Sequence, residues 1–120
     1  MEVSLLAVPG TQTLIIEPLI EVASLHEIAD LIVVGHHHKT HRVLLLAERL
    51  PAGFFDLSTG IAGEVVQKFV NYRFCVACVI NNPGQYGERF KEFALEAREG
   101  QQFRTFVTRE SAFVWLSGQF

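Results

Sequence analysis

The chain has 120 residues, which is enough for one domain with its own core and no disulfide or metal to hold it together. Hydrophobic residues make up 49% of the chain and charged residues 19%, and ten residues are phenylalanine, so we expect a compact fold with apolar surface left for a partner. A net charge of −3 provides no electrostatic basis for binding nucleic acid or an anionic membrane, and we expect neither as a partner.

We expect no targeting signal at the start of the chain. Its first ten residues lack a basic start and a long apolar run, and no apolar stretch approaches the roughly 20 residues of a membrane span. We therefore expect no signal peptide, no membrane insertion and a location in the cytoplasm, with a bacterial cytosol as the default.

Two short apolar runs open the chain, at residues 3–8 and 12–17, and Pro9 and Gly10 stand between them. A Pro-Gly pair between two such runs is a strong turn signal. The pattern predicts an N-terminal β-hairpin.

The first helix is predicted from about residue 25 to residue 36. Ser24 and Glu27 form a capping box, and apolar residues follow at helical spacing. Residues 31–34, which precede Gly35, are also compatible with a strand. A helix is preferred because two parallel strands need a crossover of roughly a dozen residues between them.

Residues 43–47 and 74–80 each read as a buried strand. Cys75 and Cys78 form a C-x-x-C pair in the second run, and a separation of three residues places their sulfur atoms on opposite faces of a strand. The pair therefore indicates core packing rather than a disulfide or a metal site.

A turn and a helix lie between these strands. The side-chain oxygens of Asp56, Ser58 and Thr59 can accept from the free N–H groups of a first helical turn, so the helix is predicted to start within residues 57–60, capped by Ser58 or Thr59. An anion would be favoured at that end. The polar residues of the helix form a stripe opposite its apolar rows, and they are Glu64, Gln67, Lys68 and Asn71.

Two features of this helix carry further expectations. Glu64 and Lys68 have the i, i+4 spacing of a surface ion pair. Gly60 and Gly63 lower helix stability relative to alanine, which suggests that a strand or a ligand approaches the backbone closely there.

The last third of the chain predicts a helix, a strand and a closing helix. Apolar residues from Tyr86 onward line one side of a helix that stops at Gly100, residues 103–107 alternate as a strand, and Thr108 can cap the closing helix. Trp115 belongs either to the edge of the core, which is preferred, or to an apolar patch for a second copy of the chain. Phe113 and Phe120 share these two alternatives.

The element order is therefore ββαβαβαβα, in one domain that spans residues 1–120. This order predicts an α/β fold with a mostly parallel central sheet, an N-terminal hairpin and packed helices. Ligands of such sheets bind at the carboxyl ends of the parallel strands. The predicted loops at that edge carry Glu48, Arg49, Asp56, Ser58, Thr59, Asn81, Asn82, Thr108 and Arg109.

Two resemblances arise from the central run FFDLSTGIAGEVVQKFVNYRFCVACVI and the run EGQQFRTFVTRESAFVWL near the end. These segments resemble the bacterial family catalogued as domain of unknown function 4180, over most of the chain from the first helix onward. The resemblance implies no particular activity. The element order is also similar to that of STAS domains, the anti-sigma-factor antagonist fold, in which a strand leads to an Asp-Ser-Ser/Thr-Gly-Leu turn and then a helix.

The STAS resemblance implies a small cytosolic protein that binds a partner kinase and is released when a serine of this turn is phosphorylated. The corresponding positions are Asp56, Ser58, Thr59 and Gly60. Leu57 separates the aspartate from the serine, which are adjacent in the antagonist pattern, so either a residue is inserted or Leu57 itself occupies the aspartate position. Capping of the helix alone also accounts for Ser58. Arg109 is the expected neighbour of a phosphate there, and is otherwise solvated.

Histidines cluster after the first helix, at His36, His37, His38 and His41. His37 and His41 would share a face if the helix continued, which is a metal-ligand spacing, but no carboxylate motif accompanies them. The C-terminal end of a helix also suits histidine. We expect no metal and no cofactor, with His37 and His41 as the alternative metal ligands.

Two functions are compatible with this reading. The first is a non-enzymatic regulatory or protein-interaction domain that uses residues 56–60, the stripe of the second helix and Arg109. The second is a domain that binds a small apolar ligand or lipid between sheet and helices. An enzyme is disfavoured because no nucleophile–base pair and no paired carboxylates are recognisable.

Overall fold

The computed structural model describes residues 1–118. Five strands and four helices follow one another in the predicted order ββαβαβαβα, and the α/β class is confirmed. They are β1 (Val3–Ala7), β2 (Leu14–Pro18), α1 (Leu25–His37), β3 (Arg42–Leu46), α2 (Ile61–Asn71), β4 (Cys75–Val79), α3 (Glu88–Ala97), β5 (Phe103–Phe106) and α4 (Arg109–Ser117). Short 3-10 turns also occur at Ala47–Arg49, Ala52–Phe55, Leu57–Thr59 and Pro83–Tyr86.

The strands form one sheet in the order β1-β2-β3-β4-β5. β1 and β2 make the predicted antiparallel hairpin, and the remaining neighbours are parallel. Each parallel connection contains a helix, as the geometry of a parallel crossover requires. The sheet therefore has one edge where β2 to β5 begin and an opposite edge where they end.

Helices cover both faces of the sheet. Buried side chains of α1, α2 and α3 pack in one core with the sheet, among them Ile28, Val65 and Phe90. Ala112 and Leu116 of α4 pack on the opposite face. Both cysteines are free, and they point to opposite faces as predicted. Cys78 belongs to the first core and half-buried Cys75 to the second.

Side-chain caps fix the start of two helices as the sequence predicts. The Ser24 side chain accepts from the Glu27 amide at 3.4 Å and caps α1, while the Glu27 carboxylate accepts at 3.2 Å from the amide of Ala23, one residue before the cap, and not from that of Ser24 as in a strict capping box. Thr108 accepts from the Ser111 amide at 3.1 Å before α4.

The predicted start of α2 is wrong. Residues 57–59 form a separate 3-10 turn, and α2 begins only at Ile61 with Gly60 as its N-cap. Neither Ser58 nor Thr59 is the N-cap of α2. The cause is the left-handed conformation of Gly60, with φ of +76°, which turns the chain between the two helical segments.

No strand within residues 1–118 approaches Gly60 or Gly63 closely, since a Cβ atom at either position would meet no atom of another segment within 4 Å; the approach of a ligand stays a prediction. The close approach is instead at Gly35 of α1, where a Cβ atom would lie 2.6 Å from the Phe74 ring and 2.8 Å from the Thr40 carbonyl oxygen. Gly60 is explained by its positive φ. The structure gives no steric reason for Gly63.

Trp115 is half-buried beside Phe106, with 5.6 Å between the ring centroids, and Phe113 is also half-buried. Both pack at the edge of the second core. Phe120, grouped with them in the sequence, lies outside the described residues. No helix within residues 1–118 combines the length and the apolar character needed to cross a membrane.

Candidate functional site

The turn at residues 56–60 is an ordered and exposed feature. The Ser58 hydroxyl donates to Asp56 Oδ1 at 2.6 Å, and the Ser58 amide donates to the same oxygen at 3.0 Å. Thr59 Oγ1 lies 2.7 Å from the carbonyl oxygen of Gly53 and accepts from the Ile61 amide at 3.2 Å. These bonds hold the backbone of the turn, while its polar side chains remain at the surface.

The carboxylate of Asp56 is stabilised in its charged form. Hydrogen bonds from the side chain and the backbone of Ser58 lower the pKa of Asp56, and the positive charge of Arg89 lowers it further. Asp56 is therefore ionised near neutral pH. The Ser58 oxygen consequently lies against a full negative charge.

A groove of about 290 Å³ separates this turn from the start of α3. Ser58 and Phe55 line one side, and Tyr86 and Arg89 line the other. The Phe55 and Tyr86 rings stack with 4.0 Å between centroids, which ties the turn to α3. α3 begins at the other side of this groove, and its N-cap, Gly87, provides no side-chain cap.

Arg89 was missing from the residues selected in the sequence. It lies 31 positions after Ser58 in an amphipathic helix, where an arginine is unremarkable. No local pattern distinguishes it from the other charged residues of that helix. Arg89 lies near Asp56 and Ser58 only because α3 packs against the turn.

Arg109, the expected phosphate neighbour, is engaged elsewhere. Its Nη2 atom donates to Oε1 of Glu17 on β2 at 2.5 Å. This hydrogen bond raises the pKa of the Arg109 guanidinium above its usual value. The structure thus places Arg109 in an ion pair between α4 and the sheet.

The predicted polar stripe of α2 is largely at the surface. Glu64, Gln67 and Asn71 are exposed, and Lys68 is half-buried. Gln67 donates to Asn71 at 2.7 Å. Lys68 forms no ion pair with Glu64, and its Nζ atom instead lies 5.9 Å from the centroid of the Tyr72 ring. The stripe lies on α2, the element that follows the turn at residues 56–60.

The histidines do not form the metal pair considered in the sequence. α1 ends at His37, so His41 lies beyond the helix and does not share a helical face with it. His41 instead packs beside His36, with 5.9 Å between ring centroids, and against Phe74. Across residues 1–118, no three His, Cys, Asp or Glu side chains are grouped as metal ligands.

Two further surfaces lie at the same edge of the sheet or beside it. Glu48, Asn81 and Asn82 line a polar cavity of about 310 Å³ where β3 and β4 end. A mainly apolar cavity of about 200 Å³ lies between β5, α3 and the loop after β4, with Leu95 and Val107 in its wall.

The fold and this site define a small α/β domain with a mostly parallel five-stranded sheet and an exposed polar turn ahead of its second helix. The chain belongs to the family described as Domain of unknown function (DUF4180), whose profile matches residues 11–116. Comparisons with curated proteins and with solved structures found no match. The family match gives no sign of a catalytic activity.

Proposed function

We propose that this chain is a non-enzymatic regulatory domain of the bacterial cytosol. In this proposal it binds a protein partner through residues 56–60 and the exposed stripe of α2, and phosphorylation of Ser58 switches that binding. The similarity of the element order to STAS domains supports the proposal. The observation that carries it is the exposed Ser58 hydroxyl, held 2.6 Å from the Asp56 carboxylate at the tip of an ordered turn.

The geometry provides a physical switch. A phosphoryl group on Ser58 brings about −1.5 to −2 charges and removes the O–H that donates to Asp56. Two anionic groups would then compete for one position. The phosphate is therefore expected to leave Asp56 and to turn across the groove towards Arg89, which lines its other wall.

The cation at this second position is Arg89, and the carboxylates of Asp56 and Glu88 also line the groove. Arg89 is exposed and supplies a guanidinium fork, and the N-terminal end of α3 lies beside it without a side-chain cap. Phosphorylation removes the bond from the Ser58 hydroxyl to Asp56, and repulsion between the two anions opposes the placement of Asp56 that the bond from the Ser58 amide maintains. A partner docked on residues 56–60 would thereby lose its binding surface.

The test compares matched serine substitutions in the full chain. Ser58→Glu places a carboxylate at the turn, whereas Ser111→Glu places one in the first turn of α4, three residues after the Thr108 cap, where a glutamate suits a capping box. Complexes recovered with the wild type are identified, and their dissociation constants are measured with both variants. We expect Ser58→Glu to weaken binding at least tenfold and Ser111→Glu to leave it unchanged.

Modification is tested separately by mass spectrometry of the chain isolated from its native cells, where phosphate is expected on Ser58. A complex that survives both Ser58→Glu and Gln67→Lys unchanged would exclude this surface. Light scattering decides whether the partner is a second copy of the chain.

A small apolar ligand or lipid is the alternative function. The cavity walled by Leu95 and Val107 is its candidate site, but about 200 Å³ is below the 300–1,000 Å³ usual for ligand pockets. The protein partner is preferred for this reason. A thermal-shift screen with fatty acids separates the two functions, because a ligand that binds the native state raises Tm.

A further inference from the structure

A positively charged cavity lies at the opposite edge of the sheet, where the parallel strands begin. It has a volume of about 600 Å³ and is walled by the residues around the starts of β2, β3 and β4. Lys39, Arg42 and Arg73 are its charged residues, joined by His38 and His41, and no carboxylate in the described part of the chain lines it. Three cations thus converge in a chain whose net charge is −3.

The end of α1 brings Lys39 to this cavity. The Lys39 amide donates to the His36 carbonyl at 3.2 Å, and the Thr40 amide donates to the Gly35 carbonyl at 2.9 Å. These are the two hydrogen bonds of a Schellman motif, in which the chain leaves the helix through one left-handed residue. Lys39 is that residue, with φ of +56°.

The end of α2 repeats the arrangement. The Arg73 amide donates to the Val70 carbonyl at 2.9 Å, the Phe74 amide donates to the Phe69 carbonyl at 2.9 Å, and Arg73 has φ of +59°. Lys39 and Arg73 are the only non-glycine residues with positive φ within residues 1–118. Two consecutive helices therefore end with the same motif, and both place a long cationic side chain at the same cavity.

Stability alone does not account for these two residues. Glycine is the usual residue at this position of a Schellman motif because it adopts positive φ without strain. A cation does suit the C-terminal end of a helix, but that contribution is small at an exposed position and does not require the left-handed residue to carry it. Neither Lys39 nor Arg73 has a side-chain hydrogen bond or ion pair to any residue in the range 1–118.

A second cavity adjoins the first and extends the positive surface. It has a volume of about 670 Å³, and Arg73 and Cys75 line both cavities. Arg104 lies in its wall with the guanidinium 5.2 Å from the centroid of the Trp115 ring. Arg73 thus stands between two concave surfaces, each of which has a positive charge in its lining.

We propose that this edge binds a small molecule that carries at least two phosphate groups. Guanidinium groups match the geometry of phosphate, and cations from separate loops suit a ligand with several charges. A concave cavity of about 600 Å³ has the size of a small-molecule site. The site lies at the opposite edge of the sheet from Ser58. This proposal therefore does not depend on the proposed switch, and each can be tested without the other.

The test uses pyrophosphate and tripolyphosphate as probes, titrated into the full chain by calorimetry at low and at high salt. Lys39→Gly and Arg73→Gly remove the cations, and they also remove the strain of a side chain on a left-handed backbone. We expect each to weaken binding at least tenfold, and the double variant to abolish it, while Tm stays equal to or above that of the wild type. Lys39→Asn and Arg73→Asn repeat the test with a second residue that tolerates positive φ.

Arg98→Gln is the matched control, because Arg98 is exposed near the end of α3 and lines a different cavity. It should leave probe binding unchanged. Failure of the wild type to bind either probe would overturn the proposal, as would unchanged binding in the double variant. Binding of duplex DNA as tight as that of tripolyphosphate would also overturn it, because a nucleic acid would then be the ligand.

Discussion

Arg109 Nη2 donates to Glu17 Oε1 at 2.5 Å, and this contact joins residues that are 92 positions apart in the chain. It connects the first turn of α4 to β2, the inner strand of the N-terminal hairpin. The Glu17 side chain is 9% exposed, whereas that of Arg109 is 47% exposed. Loss of Arg109 therefore leaves a buried carboxylate, whereas loss of Glu17 leaves a guanidinium that is exposed to water.

The first prediction concerns this asymmetry. Arg109→Met leaves a buried carboxylate without its partner and should lower the free energy of unfolding by about 2–4 kcal/mol. Glu17→Gln leaves a guanidinium that water can reach and should cost about 1 kcal/mol. Denaturant unfolding measures both. Arg98→Met controls for the loss of an exposed arginine, and equal losses for Arg109→Met and Glu17→Gln would contradict the prediction.

The second prediction separates two glycines that look alike in the sequence. Gly60→Ala forces a Cβ atom into a backbone with φ of +76° and should destabilise the fold by about 1–2 kcal/mol. Gly63→Ala lies inside α2 with open space around the new Cβ atom and should stabilise the fold by about 0.5–1 kcal/mol. Thermal unfolding of the two single variants measures whether each substitution raises or lowers the stability of the fold. Stabilisation by Gly60→Ala would show that the turn is not left-handed.

The third prediction concerns stability at high pH. Burial raises the pKa of the Cys78 thiol to about 12 from its ordinary value of 9.0. The thiol ionises first in the unfolded chain, so its contribution to stability is complete below pH 9 and is lost as pH rises towards 12. The loss should reach about 1.4 kcal/mol per pH unit.

Unfolding free energies measured between pH 8 and pH 11 check this slope. Cys78→Ala should flatten it more than Cys75→Ala does, because Cys75 is only half-buried. Native-state alkylation gives an independent readout, in which Cys75 should react before Cys78. An unchanged slope in Cys78→Ala would place the pH dependence in other groups.

The fourth prediction concerns the carboxylate in the turn. The Ser58 hydrogen bonds lower the pKa of Asp56 below 3.8 in the folded chain, so the contribution of this group is present above pH 3.8 and is lost as pH falls through the lowered value. An NMR titration of the Asp56 carboxyl carbon should give a midpoint below 3.8. Ser58→Ala should move the midpoint upward, because it removes the largest cause of the shift.

Ser117→Ala is the control for this titration, since the Ser117 hydroxyl bonds to the Phe113 carbonyl in α4 and lies in another element. Its midpoint should equal that of the wild type. If Ser58→Ala leaves the midpoint in place, the hydrogen bond between the two side chains is absent in solution.

Much of the fold was predictable because its signals are local. The Ser24 cap and the Thr108 cap depend on residues within one helical turn, and both are present, although Glu27 accepts from the Ala23 amide and not from the Ser24 amide. The start of α2 was misplaced because three residues with capping side chains precede it. Only backbone geometry decides that they close a 3-10 turn instead, with Gly60 between the two segments.

The surroundings of the candidate sites were less predictable, because spacing in the sequence does not give distance across the fold. Arg109 and Arg89 are both arginines near the start of a helix, yet one is paired with Glu17 and the other lines the groove beside Ser58. The histidine pair failed for a related reason, since α1 ends before His41. None of these outcomes follows from a local pattern.

The sequence by itself determined the type and order of the elements and the one-domain α/β class, because periodicity, caps and turn residues act over a few positions. The family followed separately from the resemblance of whole runs of residues. The tertiary structure alone decided which charged groups meet. Lys39 and Arg73 end two different helices, and they line one cavity because the parallel strands that follow those helices lie side by side. Strand pairing fixes that proximity, and it depends on contacts between residues far apart in the chain.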